Sequence, residues 1–470
     1  MIVEDLTTYP HRTHIEEEVI KYGGRNMVVA PLYYQDELIG TLDLVSPHPG
    51  DLHALNVMKL REVLPLFSIA IKRGMEELNT RVQAVIKEQC TAIHPAVEWR
   101  FRQAAINWME GHKNGLSTEM EPIVFEGIYP LYGLSDIRGS STHRNAAIQA
   151  DLVEHLRLAR EILRLGYGAK PLPILDQLAY RVGKKIAHLE TGLAAGDELT
   201  VLDFLRREVE PLFTHMQEFG PDVEEQIQAY RAALDPRMGT LYRQRKDFDE
   251  SVTLINETLS AYLDAEQEKA QAMFPHYFEK HKSDGVEFGL YVGASLVEDG
   301  QFDPLYLHNL RLWQLMVMCG MARQAALLHD RLSVPLEVAN LLLVQHTPLS
   351  IRFRFDEKRF DIDGAYNMRY EIVKKRIDKA RIRDTHERLT QPGTIAIVYS
   401  QPREALEYRE YIAYLQDAGY LTRGLEEVDL EDLEGAQGLR ALRIAVNVQD
   451  RPAQSGTFED FTEAVDALIR

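Results

Sequence analysis

Between Thr142 and Lys282 apolar residues recur at helical spacing almost without a break, and strand-like runs stand on both sides of that block. No other feature constrains the fold of this 470-residue chain as strongly. Upstream, Ile123, Phe125 and Gly127 alternate with Val124, Glu126 and Ile128 in a run that reaches Leu134. Downstream, Val286, Phe288, Leu290 and Val292 line one face of a second run, Val286–Leu296, and Val338–Phe355 is strand-like again. A strand cannot satisfy its backbone alone, and strands from before and after the block are expected to share one sheet. The expectation is an α+β domain over 116–450, a mixed sheet carrying a large helical insertion at 142–282. Breaks at Gly166–Pro173, Gly192–Asp197, Gly220-Pro221 and Asp235–Gly239 divide the insertion into several helices. After it, the spacing predicts a buried helix at Pro304–Leu332, a helix over about Ala365–Arg383, a strand at Thr394–Tyr399, a helix at Glu404–Ala418 and a strand at Leu439–Val448. Residues 451–470 read as a loosely attached tail helix. No period of 20–50 residues recurs, which excludes a repeat array.

Charge and cysteine content remove several function classes. The formal net charge is −19, so phosphate backbones are repelled and a general nucleic-acid binder is not expected. Two cysteines far apart, Cys90 and Cys319, exclude a disulfide framework and a cysteine-based zinc site. The longest mostly apolar stretches are Leu310–Leu328, interrupted by Arg311, Gln314, Arg323 and Gln324, and Val334–Val344, which is too short to span a bilayer. With no basic n-region followed by an apolar run at the start, the chain is expected to be soluble and cytoplasmic, with no membrane partner.

The N-terminal segment alternates short elements. Ile15–Tyr22 reads as a helix ending at Gly23-Gly24, Met27–Leu32 as a strand, Tyr33–Glu37 as a polar hairpin turn, Leu38–Val45 as a second strand and Leu55–Lys72 as a helix. The run Met27-Val28-Val29-Ala30-Pro31-Leu32, a turn, then Leu38-Ile39-Gly40-Thr41-Leu42-Asp43-Leu44 and a terminal helix resembles a GAF domain, the small-molecule-binding and dimerising module of sensor proteins. The resemblance covers residues 1–76 and implies an antiparallel sheet backed by a helix. The family's first strands and the helix walling its pocket have no counterpart, so the chain is expected to begin inside the domain. An incomplete sheet of this kind needs cover from the rest of the chain or from a second copy, hence a homodimer. Residues 77–115 read as a connecting helix, with Leu78, Val82, Val85 and Ile86, then Trp99, Phe101, Ala105 and Trp108, at helical spacing.

Two constellations could carry chemistry. In the first, a strand runs into Ser135-Asp136-Ile137-Arg138-Gly139-Ser140-Ser141 and a helix opens. Amides at a helix start bind anions, and Asp136 could hold a divalent cation. The alternative is an N-cap by Ser140 or Ser141 with a surface Asp136–Arg138 pair. Asp-Ile-Arg-Gly-Ser also resembles the first metal-binding stretch of class III nucleotidyl cyclases. That family's second carboxylate, on a hairpin after a glycine, is not found in that form.

The second constellation is the basic stretch Ile351–Arg383, with eleven Lys/Arg against six Asp/Glu. Arg352 and Arg354 stand two apart on a strand and so share a face, where two guanidiniums could clamp an anion. Asp361 and Asp363 precede Gly364, but the remaining ligands of a calcium loop are out of place. His276, Glu279 and His281 read as helical, with the imidazoles diverging, which excludes a zinc pair. Cys319 sits in an apolar helix as a small hydrophobe. No nucleophile elbow, Walker loop or dinucleotide fingerprint occurs.

The sequence therefore predicts a sensory or regulatory protein that binds a small ligand or a partner, with no cofactor or metal assigned. One alternative is a metal-dependent enzyme acting on a nucleotide or another phosphorylated small molecule. Its ligand site would combine Asp136, Arg138, Ser140, Ser141, Arg352 and Arg354, with Arg352 and Arg354 holding the anion and Asp136 holding a metal or acting as a base. The other alternative is a non-catalytic scaffold.

Overall fold

The computed structural model describes residues 1–90, 93–113, 119–364, 368–433 and 436–448. The tail read as a helix at 451–470, the first residues of the helix expected from Ala365 and the 115/116 boundary lie outside these residues. The fold is α+β. It divides into two compact units, Met1–Ile123 with Arg354–Arg359, and Val124–Phe353 with Phe360–Arg470.

In the first unit β1 (Ile2–Val3), α1 (His14–Lys21), β2 (Asn26–Tyr34), β3 (Glu37–Ser46), α2 (Ala54–Gln89) and α3 (Pro95–Lys113) follow one another. A Thr13–Glu16 capping box starts α1, and Gly23, at φ 89°, turns the chain out of it. β2 and β3 pair antiparallel across Gln35-Asp36, both at positive φ, the backbone of a two-residue hairpin turn that matches strand twist. β1 adds to the other edge of β2. Met27, Val28, Ala30 and Leu32 are buried, and α2 packs on β2. The helix expected to stop at Lys72 instead runs unbroken to Gln89. Gly74 is helical here and costs only about 1 kcal/mol relative to alanine, too little to end a helix that long. Cys90, in extended conformation, ends it, and α3 returns along α2, with Val82, Ile86, Val97 and Phe101 buried.

The second unit begins with β4 (Val124–Ile137). The helices α4 (Ser140–Ala169), α5 (Pro173–Glu190), α6 (Asp197–Phe204), α7 (Glu210–Met216), α8 (Pro221–Ala233) and α9 (Gln244–Met273) follow. Next come β5 (Tyr277–Ser283), β6 (Gly285–Val292), α10 (Pro304–Leu328), β7 (Val338–Val344), β8 (Leu349–Arg354) and β9 (Arg359–Asp363). The unit closes with α11 (Met368–Arg376), β10 (Thr394–Tyr399), α12 (Pro402–Asp417), β11 (Glu426–Asp429) and β12 (Arg440–Ala445). The sheet order is β11-β12-β10-β7-β4-β6-β5, with β8 and β9 added through the start of β4. β4 is antiparallel to both its neighbours, and β7 and β10 are parallel. β7 is buried at every position, as a central strand covered on both faces must be. Strands from before and after the helical block thus lie side by side. At Gly127, φ 67°, the register of β4 against β8 shifts; this bulge lets one strand pair with β8 first and with β6 and β7 further on.

Two layers cover the sheet. α9, α10 and α12 bury one face through Tyr262, Trp313, Met318 and Tyr408, and α11 with the segments around Leu389 and Leu439 buries the other. Helices α4 to α8 hold a separate apolar core, including Leu156, Val182, Phe213 and Tyr230. The helical block ends at Met273, not Lys282: His276 precedes β5, Glu279 and His281 lie on it, and β5 is the edge strand. Its polar alternation reads as helix surface in sequence, whereas charged side chains on an edge strand also block unwanted pairing. No helix among the described residues is long and apolar enough to cross a membrane.

Candidate functional site

Alternation along β4 sends Leu131, Ser135 and Ile137 toward α9 and α10, and Tyr132, Leu134 and Asp136 toward α11. In the pairing with β6, Glu287 opposes Leu134 and Gly289 opposes Tyr132; on β5, Glu279 opposes Gly289. These residues therefore share the face of Asp136. Lys374 of α11 spans them, with Nζ 3.3 Å from the Glu287 carboxylate, 3.7 Å from that of Glu279 and 5.1 Å from the Tyr132 ring centroid. The basic helix is thus paired in part with acids of its own unit. Tyr370 and Val373 of α11, with Ile377 and Ala380 just beyond it, are buried at helical spacing.

At the end of β4 Asp136 lies between Gly285 of β6 and Ala339 of β7. Asp284 forms the tip of the β5–β6 hairpin. Its carbonyl accepts from the Ile137 amide at 2.9 Å, and its carboxylate accepts from Ser140 Oγ at 3.0 Å and pairs with Arg144, one turn into α4. Arg388 donates through Nη2 to Asp136 Oδ2 at 3.3 Å and through Nε to the Asp378 carbonyl at 3.1 Å. Burial, with Asp378 and Asp284 nearby, pushes the Asp136 carboxyl up to about 6 against the opposing pull of Arg388 and Lys379. A carboxylate that remains charged at neutral pH against such surroundings is one a cation would relieve.

The hairpin depends on Gly285. Its φ is 136°, and a Cβ there would lie 2.2 Å from the Ser135 carbonyl oxygen. Gly285→Ala is expected to cost about 2–4 kcal/mol, from backbone strain plus overpacking, read as a lower urea midpoint; an unchanged midpoint would refute it.

The residues singled out in sequence fall into two groups. Asp136 and Ser140 stand together at the Asp284 hairpin. Arg138 is beside them but engaged: its guanidinium donates to the Thr390 carbonyl at 2.5 Å and to Gln391 Oε1 at 2.8 Å, which fastens the 390–391 segment rather than opening an anion site. Ser141 is exposed in the first turn of α4, and the N-cap is Gly139, at φ 65°, not a serine. Arg352 is elsewhere. It opposes Val124, twelve residues back along β4 from Asp136, roughly 30–40 Å at strand rise, and it pairs with Asp363 at 3.0 Å. Arg354 belongs to the first unit and pairs locally with Asp356 and Glu357. The shared exposed face of β8 is real, with Ile351 and Phe353 buried on the opposite face, but it does not serve Asp136.

Asp284, Arg388 and Asp378 escaped the sequence reading. The available clue was Ser283-Asp284-Gly285 between two alternating runs, an Asp-Gly hairpin signature hidden by extending the helix to Lys282. The carboxylate sought after a glycine stands before one. Among the described residues no three His, Cys, Asp or Glu side chains form a metal cage. A magnesium-type ion commonly takes one or two carboxylates, with water and phosphate oxygens completing its shell, and Asp136 with Asp284 could supply that share.

No family model matches the chain, and no curated protein does. Among solved structures, one titled as the guanylyl cyclase Cya2 matches with 13% identity over 44% of this chain and 85% of that one, at a TM-score of 0.24. At that level nothing about fold or function follows from the likeness.

Proposed function

We propose that the second unit binds a divalent cation together with the phosphates of a nucleotide or similar phosphorylated small molecule at the Asp136–Asp284 end of the sheet. The observation that carries this reading is geometric: the mostly buried Asp136 carboxylate stands at the strand end beside the hairpin tip that presents Asp284 to the start of α4. Around it, α4 opens without an acidic residue of its own in its first turn, and Ser140 and Arg144 hold the Asp284 carboxylate at that helix start. Titration calorimetry with Mg²⁺ and ATP on the full chain tests the reading. Cation-dependent binding lost in Asp136→Asn supports it; no cation-dependent binding in the natural protein rejects it.

The wider role is that of a cytoplasmic regulatory protein in which the GAF-like first unit is the sensory or dimerising module. Both cysteines are free and buried, which suits a reducing compartment. The three-stranded antiparallel sheet backed by α2 supports the GAF-like reading. Along α2, Leu55, Met58, Leu66 and Ile69 are exposed on one side, an apolar row suited to a second copy of the same helix. Light scattering is expected to give a dimer, and Leu66→Glu with Ile69→Glu a monomer. A monomeric natural protein would remove the dimer from this reading.

A further inference from the structure

A cleft of about 840 Å³ lies in the helical insertion, away from the strand end that carries Asp136. One wall is α4, with Arg157, Arg160 and Arg164 one turn apart; the other is Phe219–Val223, leading into α8. Three guanidiniums on one helix face repel one another, and such pairs weaken a helix by a few tenths of a kcal/mol each. Arg157 is held by Glu190 at 2.8 Å. Arg160 and Arg164 have no carboxylate within ion-pair distance among the described residues. Glu161 and Asp222 also line the cleft, so its wall carries a net excess of one positive charge. Gly168 leaves the α4 wall open, with nothing within 4 Å of where its Cβ would stand.

We propose that this cleft is a second ligand site, taking the phosphate groups of a nucleotide-sized molecule through Arg160 and Arg164. Guanidinium forks match phosphate oxygens bidentately, and the volume is that of a small-molecule pocket. The acidic balance of the chain opposes a long polyanion and favours a compact one. The site needs no metal, which separates it from the one at Asp136.

The test uses the full chain in EDTA, where binding that depends on a divalent cation is silent, with ATP and inorganic pyrophosphate as probes. Saturable binding of at least one probe is expected. Arg160→Ala with Arg164→Ala should weaken it roughly 10- to 100-fold, and the double lysine variant should weaken it less, because charge persists without the fork. Arg207→Ala, on an exposed arginine paired with Asp203 in the same insertion, should leave it unchanged, as should Asp136→Asn. Both arginines of the double variant reach solvent or the cleft, so far-ultraviolet circular dichroism should show full helix content. A dissociation constant weaker than about 1 mM for both probes, equal binding by the double alanine variant, or tighter binding of a single-stranded oligonucleotide than of ATP would each overturn the proposal.

Discussion

Replacing Asp136 by asparagine is expected to stabilise the protein at pH 7.5 by about 3 kcal/mol while abolishing its cation-dependent nucleotide binding. Burial, then Asp378 and Asp284, hold this carboxyl at about 6 in the folded chain, against an ordinary value of 3.8, with Arg388 and Lys379 opposing. Because the raised value belongs to the folded state, that state binds the proton more tightly than the unfolded chain does. Stability therefore falls as pH rises from about 4 to about 6, and the full cost is present at pH 7.5. Asparagine keeps the shape and cannot ionise. The gap between variant and natural protein should be absent near pH 3.5, open through pH 4–6 and stay level to pH 8, as read by urea unfolding at each pH. Adding Mg²⁺ to ATP should raise the melting temperature of the natural protein beyond that with ATP in EDTA, and should give no such increment in the variant. A gap independent of pH, or a variant less stable at pH 7.5, would refute the assignment. Charged groups that cost stability are characteristic of functional sites.

The opposite sign is expected at Glu407. Arg311 of α10 is 2% exposed, and its Nη1 donates to Glu407 Oε2 of α12 at 2.7 Å. Tyr411 donates to the other carboxylate oxygen at 2.8 Å, and His308 Nδ1 lies 2.7 Å from it. Removing the acid leaves a buried guanidinium without its counter-charge, so Glu407→Ala should cost about 3–5 kcal/mol. Burial raises the Glu407 carboxyl, but Arg311 and the hydrogen bonds of Tyr411, His308 and Arg311 together outweigh it and hold the group below its ordinary value of 4.5. Its stabilisation is thus present above that value and is lost as pH falls through the lower, folded one. The natural protein should lose stability more steeply on acidification than Glu407→Ala does. Equal acid limbs, or a loss below about 1 kcal/mol, would show that the pair is no more than a surface bridge.

Both residues show how far sequence reaches. Asp136 was legible because a strand, an acid, a glycine and a helix start follow in twelve residues, and local chemistry of that kind survives without knowledge of the fold. Asp284, Arg388 and Asp378 were not, since they come from segments 150 to 250 positions away and only pairing brings them near. Glu407 reads in sequence as one more polar position of an amphipathic helix. The Arg352–Arg354 pair is the converse case. Strand periodicity placed both guanidiniums on one exposed face, but the same-face rule says nothing about which end of a neighbouring strand they meet, and β8 joins β4 at the end far from Asp136.

What the sequence by itself determined is whatever rests on neighbours within a few turns. That includes the α+β class, the helical insertion between strands of one sheet, the antiparallel β2–β3 hairpin and the strand-to-helix turn at Gly139. Side-chain periodicity of 2.0 or 3.6 and the freedom of glycine at positive φ are local properties. The tertiary structure alone decided strand order, the edge position of β5, the continuity of α2 past Lys72 and which charges meet at Asp136. Those outcomes depend on burial of surface and on electrostatic energies between residues far apart in the chain, and a polar edge strand and a polar helix face present nearly the same composition until the sheet beside them is known.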